Sequence, residues 1–428
     1  MSLGDRPAGI IERIQALSRQ VISCFSCIAN SEYVTMCFMT SIHRLRQLHG
    51  KRVLMRIDAN VPVKNGRVIS KGTIRLDRIV PSVVYLMKLG ARLILVAHCG
   101  RPEGKIDKDL SLKAVARYLE REVGRHIRFV EGFDGTAVEK LSRLEDGEIA
   151  MLENIRFHLG EQKNDPKFAK WLASLADIYV NDAFGVCHRE TASMVGVAKL
   201  LPAYAGLLLI EELHEMEKLV ENPKRPFVII MGGVKAKTKV PVIVNLLEKS
   251  DAVLLGGVLA NKFLALAQDQ PVDDLDPSLK KQMKKLLDHD HIRLPHDVVV
   301  YHKKRKRVET VDLRVSREHP STYDIMDIGP KTRAHYCDLI QFAQTVVWNG
   351  PLGMFEDKRY AAGTTHIAKC FAASSAKTIA GGGETLQVVK GLHIDQQISF
   401  VSTGGGAMLS YLAGYELPAL KVLKKSKH

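Results

Sequence analysis

Two spacings of apolar residues alternate along this chain from Lys51 onward. Short runs crowded with Val, Ile and Leu, such as RVLMRID, RLILVAHCG and HIRFVEG, are separated by stretches with helical spacing, such as SVVYLMKLG and SLKAVARYLEREVG. The short runs read as strands buried on both faces and the longer ones as helices packed on them, so the rhythm predicts a parallel sheet. MLENIRF and ADIYVNDAF extend it, with the helical DPKFAKWLASLA between them. After the helix-like EELHEMEKLVENP a second series begins with PFVIIMGG and runs through AVLLGGVLANKFLALA, TVVWNG, KTIAGGG and QISFVSTGGG. The expected fold is α/β with two Rossmann-like lobes, each a parallel β-sheet flanked by helices, joined by a hinge helix. The boundaries are an extension over 1–43, helical or poorly ordered, a first lobe over 44–204 and a hinge over 205–226. A second lobe over 227–402 and a glycine-rich loop with a C-terminal segment over 403–428, packing back toward the first lobe, complete the chain.

The ends of the strands differ between the two series. Those of the first carry Arg, His, Asp and Asn; those of the second carry glycine pairs and triplets. Ligands of open α/β sheets collect beyond the carboxyl ends of strands. Arg156, His158, His188 and Arg189 all fall at such ends, a set suited to an anion. Gly232–Gly233, Gly256–Gly257, Gly381–Gly383 and Gly404–Gly406 each follow an apolar strand. Glycine lets backbone N–H groups approach phosphate oxygens, and a following helix N-terminus adds a favourable partial charge, so the four sites together suggest a nucleotide bed. Neither G-x-x-x-x-G-K-[ST] nor G-x-G-x-x-G occurs, which excludes a P-loop NTPase and a Rossmann dehydrogenase by signature.

Composition narrows the class further. The 428 residues are 46% hydrophobic, enough for two cores. Apolar runs such as ARLILVAH fall far short of the roughly 20 residues that cross a bilayer. Seven scattered cysteines do not resemble a disulfide framework, and a reducing, cytoplasmic setting is expected, with Cys24 and Cys27 read as incidental thiols. The net charge of +15 and the clusters HKKRKR, KKQMKK and KKSKH raise the question of nucleic acid. Without interleaved aromatics for base stacking they read as solvated loop and tail, so nucleic acid is not the expected partner.

RIDANVP, AHCGRP, ENIRFH, NDAFG-x-x-HR, MGGVK, WNGPLGMFE, GGGET and STGGGA occur in this order. Together they resemble the phosphoglycerate kinase family over nearly nine-tenths of the chain. The resemblance implies a first lobe that binds phosphoglycerate, a second that binds MgADP or MgATP, and catalysis by a monomer after the lobes close about the hinge. It places Asp58, Asn60, Arg75, His98, Arg101, Arg156 and Arg189 on the phosphoglycerate. Gly233, Lys235, Lys239, Gly256, Gly257, Asn349, Pro351, Glu356, Gly382, Gly383, Glu384 and Thr385 fall on the nucleotide, with Glu384 toward Mg²⁺. Arg75 and Lys239 are the expected catalytic cations: charge on the transferring phosphoryl group is stabilised by fixed positive groups, and no general base is needed because the attacking oxygen is already ionised.

Four positions depart from the family pattern: Thr238 and Glu384 stand where Asp is usual, Val258 interrupts a glycine triplet, and Thr191 replaces a His. They motivate an alternative, a divergent relative with weak or no turnover that binds anions or nucleic acid through its basic surface.

Overall fold

The computed structural model describes residues 39–69, 73–272, 274–316 and 322–426. The amphipathic IIERIQALSRQVISCF stretch and Cys24, Cys27 and Cys37 lie outside them. The chain divides into two compact units, one running to His214 and resuming at Glu416, the other spanning Glu215–Tyr415.

The first unit is built on six strands: β1 Arg52–Ile57, β2 Arg92–Val96, β3 Ile127–Val130, β4 Ile149–Leu152, β5 Ile178–Asp182 and β6 Ala203–Ala205. They lie in the order β3-β4-β2-β1-β5-β6, and every pairing is parallel. Helices α1 Thr73–Lys88, α2 Lys113–Val123 and α3 Pro166–Ser174 are among its crossovers, and α4 Leu207–Glu221 leads into the second unit. Both faces of the central strands are covered, which is why β1 and β2 read as continuous apolar runs rather than alternating ones. The core gathers Val53, Met55 and Ile57 of β1, Leu93 and Leu95 of β2, and Leu76, Ile79 and Val83 of α1. Chain direction across the sheet reverses at β1, with β2 on one side and β5 on the other, which opens a crevice at their carboxyl ends.

The second unit repeats this plan with β7 Phe227–Met231, β8 Ala252–Leu255, β9 Ile292–Arg293, β10 Thr345–Asn349, β11 Lys377–Gly381 and β12 Phe400–Ser402. Their order, β9-β8-β7-β10-β11-β12, is the doubly wound arrangement with its switch point between β7 and β10. Helices α5 Ala236–Leu246, α6 Gly257–Ala267, α7 Pro330–Phe342, α8 Ala362–Ala373, α9 Gly383–Gly391 and α10 Gly405–Leu412 flank it. The terminal α11, Pro418–Lys425, belongs to the first unit, where Ala419 N–H donates to Cys187 O and Ser426 Oγ accepts from Ala203 N–H.

Two features were not anticipated. Residues Asp297–His302, Arg307–Asp312 and Tyr323–Ile328 form a separate antiparallel three-stranded sheet. The HKKRKR cluster is its hairpin turn, where Lys303 pairs with Asp324 and Arg305 and Arg307 with Glu309. Second, Cys337 and Cys370 form a disulfide between α7 and α8, a pairing that the scattered cysteines did not suggest. Positions 33 residues apart in sequence meet only because the two helices pack side by side, which spacing alone does not reveal. Among the described residues, no helix is long and apolar enough to cross a membrane.

Candidate active site

In the first unit the parallel register fixes the cluster. Arg56, Val96 and Asn181 stand side by side on β1, β2 and β5, so the segments after them emerge together. Asp58 and Asn60 follow β1, His98 and Arg101 follow β2, Arg156 follows β4 and Arg189 follows β5. Asp58 Oδ1 accepts from Asn60 N–H, Asn60 Oδ1 accepts from Gly100 N–H, and Arg75 reaches from α1 to donate to Asn60 O at 2.9 Å. The Arg75 guanidinium also lies 3.8 Å from Asp58 Oδ2. Arg156 donates to Gly100 O. The buried Asn154 ties the turn after β2 to the turn after β4: its side chain accepts from Cys99 and Arg156 N–H and donates to Cys99 and Leu110 carbonyls.

A buried network sits beneath these residues. Arg56, 2% exposed, donates from Nε to Ser193 Oγ, while Ser193 presents both its hydroxyl and its N–H to Glu161. Arg56 Nη2 lies 2.9 Å from His98 Nδ1. A guanidinium can only donate, so Nδ1 accepts and the ring proton of a neutral His98 is on Nε2. That Nε2 is buried and has no hydrogen-bond partner, so a donor is free in the cluster. Burial foremost, then the charges of Arg56, Arg156, Arg189 and Arg75, hold the His98 pKa well below its ordinary 6.5. Burial and neighbouring guanidiniums likewise bring Arg156 down to about 10 and lower Arg189, whose Nε is also buried without a partner. Cations that destabilise one another in this way are a receptor for a multiply charged anion. Sequence reasoning missed Arg56, Ser193 and Glu161. The available signal was Arg56 itself, a cation inside a strand buried on both faces, which requires a partner.

In the second unit, helices α5, α6, α9 and α10 begin directly after β7, β8, β11 and β12, and none has a side-chain cap on its N-terminus. No side chain therefore takes their first N–H groups, although in α6 Gly257 and Leu259 N–H donate to Leu352 O and Gly233 O. Half of the glycine signal is explained by packing instead. A Cβ on Gly232 would stand 2.0 Å from Pro351 O, and one on Gly257 2.8 Å from both Gly233 N and Pro351 O. Gly233 N–H donates to Pro351 O at 2.7 Å, so the turns after β7, β8 and β10 interlock. Gly256 and Gly381 are crowded by side chains, a Cβ on them standing 2.3 Å from Leu352 Cδ2 and 2.1 Å from Met408 Sδ, whereas Gly382 has φ +99° and Gly383 has open space where a Cβ would be. Asn349 Nδ2 donates to Gly381 O, and Thr385 Oγ1 accepts from Gly350 N–H, joining the turn after β10 to the start of α9.

Lys239 and Glu384 converge on Gly233: Lys239 Nζ and Glu384 Oε2 each lie 3.3 Å from the position its Cβ would take. Lys239 is 6% exposed, and burial lowers its pKa against the opposing charge of Glu384. Lys235, Val258 and Glu356 are exposed, and Gly256 caps α6. Thr238 donates its hydroxyl to Lys235 O and so closes the first turn of α5. Thr191 is buried with an unpartnered hydroxyl, and its carbonyl anchors the following turn by accepting from Met194 and Val195 N–H.

The phosphoglycerate kinase family model matches residues 42–415. The chain belongs to the phosphoglycerate kinase family. It is 43% identical over 385 residues to the phosphoglycerate kinase of Moorella thermoacetica, covering 88% of this chain and 97% of that one. The enzyme of Sinorhizobium fredii is 40% identical over 416 residues, covering 92% and 100%. Among solved structures, phosphoglycerate kinase from Coxiella burnetii superposes with a TM-score of 0.76 at 35% identity, covering 91% of this chain and 100% of that one. That from Pyrococcus horikoshii OT3 gives 0.78 at 32% identity, covering 91% and 99%. These matches lend no support to the non-catalytic alternative.

Proposed function

We propose that this chain catalyses reversible phosphoryl transfer between the acyl phosphate of 1,3-bisphosphoglycerate and MgADP, giving 3-phosphoglycerate and MgATP. The observation that carries this reading is the presence of two half-sites within one family member: a guanidinium cluster with a free His98 Nε2–H in one unit, and the N-termini of α5, α9 and α10 without side-chain caps, with buried Lys239 on α5, in the other.

In the proposal, Arg101, Arg156 and Arg189 bind the phosphate and carboxyl oxygens of phosphoglycerate, His98 donates one further hydrogen bond, and Asp58 and Asn60 orient its hydroxyl end. Gly256, Gly257, Gly382, Gly383 and Thr385 form the nucleotide bed, with Lys235, Asn349 and Pro351 near the phosphates and Glu356 near the ribose. The Glu384 carboxylate fits Mg²⁺, which takes one or two carboxylates together with phosphate oxygens and water. Mg²⁺ when bound neutralises nucleotide phosphate charge. The carboxylate of 3-phosphoglycerate, ionised at neutral pH, attacks the terminal phosphorus; the bond to the bridging oxygen breaks and ADP leaves. Arg75 and Lys239 stabilise the charge on the equatorial oxygens of the group in flight.

A coupled assay of ATP-dependent 3-phosphoglycerate phosphorylation with Mg²⁺ titration tests this. Lys239→Ala and Arg75→Ala are each expected to lower kcat by about 10²-fold or more with smaller changes in KM, as for groups that act mainly in the transition state. Unchanged kcat in both variants would reject the assignment. Transfer requires the two ligands to meet, so closure about residues 205–226 is part of the proposal. A radius of gyration that does not fall when both ligands bind would count against it. A monomer in the cytoplasm completes the reading, checked by sedimentation and cell fractionation.

A further inference from the structure

The second unit carries a side-chain cluster that phosphoryl transfer does not use. Cys337 on α7 and Cys370 on α8 are joined by the disulfide, with Cα atoms 5.7 Å apart. His366 lies one helical turn before Cys370, and this i, i+4 spacing puts both on one face of α8. A ring nitrogen of His366 and both sulfurs all lie within 4.8 Å of one another. The His366 ring is exposed, so it is open to an ion arriving from solvent, and its unprotonated imidazole is a common metal ligand.

We propose that, once this disulfide is reduced, Cys337, Cys370 and His366 bind a zinc-class divalent ion, so that α7 and α8 alternate between a covalent link and a metal-bridged one. Two thiolates and an imidazole are a borderline-soft donor set, suited to Zn²⁺ and unsuited to Mg²⁺. Bonds of ~2.0–2.3 Å to a tetrahedral ion place ligand atoms roughly 3.5 Å apart, a spacing that side-chain rotation reaches from the present one. A dithiol reductant supplies two electrons and two protons, the S–S bond breaks, two S–H bonds form, and the reductant leaves as its own disulfide. The metal then displaces both thiol protons to solvent, and water takes the fourth position.

The site bears on the nucleotide side because α8 also holds the turn after β10. Thr364 Oγ1 accepts from Leu352 N–H, and Gly363 N–H donates to Asp327. In the reduced, metal-free protein α8 loses its covalent link to α7 and is held to it by packing and by Gln341 Nε2 donating to Cys370 O.

The probe is Co²⁺, whose thiolate charge-transfer absorption reports sulfur ligation, followed by Zn²⁺ titration calorimetry. Both use the full chain with Cys24, Cys27 and Cys37 replaced by Ser, so that only the pair and the buried Cys99 and Cys187 remain. The reduced protein is expected to bind one ion per chain with the thiolate band, and the oxidised protein to show neither. Cys337→Ser and Cys370→Ser should abolish the band, and His366→Ala should weaken binding by at least about tenfold. Far-UV circular dichroism and kinase turnover verify folding, and the exposed His366→Ala variant keeps the test open if a serine variant unfolds. Absence of the band after reduction, equal binding by the oxidised protein, or a His366→Ala affinity equal to that of the parent would each overturn the proposal.

Discussion

At the scale of single residues, the candidate phosphoglycerate site is organised from below. Asp58, Asn60, His98, Arg156 and Arg189 were legible because they follow strands in recognisable runs. Arg56, Ser193 and Glu161 were not, since Glu161 sits in the hydrophilic stretch HLGEQKND and reads as solvated, yet is 1% exposed. Its burial depends on Ser193, 32 positions away, whose N–H and hydroxyl both reach it. The network makes a specific prediction. Arg56→Met removes the donor to His98 and Ser193 and leaves the buried Glu161 charge less compensated, which is expected to cost about 3 kcal/mol in urea unfolding. Histidine-labelled NMR should show His98 neutral with the proton on Nε2 well below its ordinary 6.5 in the parent, and a raised midpoint in the variant, because one of the charges that lowers it is gone. A parent midpoint at the ordinary 6.5 would refute the arrangement.

At the scale of elements, the strand and helix rhythm carried the two parallel sheets, because strands covered on both faces must be uniformly apolar and their partners must be amphipathic. The antiparallel sheet over residues 297–328 escaped because its hairpin partner does not look apolar: Arg307–Asp312 is half charged and reads as loop. The glycines show a different limit. Sequence assigns them all to phosphate contact, whereas Gly232 and Gly257 are required by neighbouring backbone. One element junction is sensitive to pH. Asp182 ends β5, is fully buried, and accepts from Leu209 N–H in the first turn of α4, while its other oxygen has no hydrogen-bond partner. Burial pushes its carboxyl up to about 7. The folded state then binds the proton more tightly than the unfolded chain, whose value is 3.8, so this group's contribution favours folding below about 4 and is lost as pH rises toward 7. Asp182→Asn, which stays neutral throughout, should flatten that part of the stability profile measured by denaturant titration between those limits. A profile with the same slope in parent and variant would place the titration elsewhere.

At the scale of the molecule, the +15 charge was legible from composition but its distribution was not. Much of the exposed charge is neutralised locally, as in the 302–307 hairpin with Glu309 and Asp324. The cluster at the ends of β1, β2, β4 and β5 instead concentrates Arg56, Arg101, Arg156 and Arg189, with Arg75 on Asp58, and several of these lower one another's affinity for a proton. Exposed charges more than about 10 Å apart are screened at 0.1 M salt, whereas a partly buried cluster keeps its field. Attraction of the anionic substrate should therefore come from the cluster more than from the surface as a whole. The KM for 3-phosphoglycerate is expected to rise severalfold between about 0.01 and 0.2 M salt, with kcat changed less. Lys304→Glu with Lys306→Glu reverses charge at the hairpin and leaves the cluster intact, so the salt dependence should survive it. If the double variant abolished that dependence, the steering field would belong to the whole surface and the cluster would act only at contact.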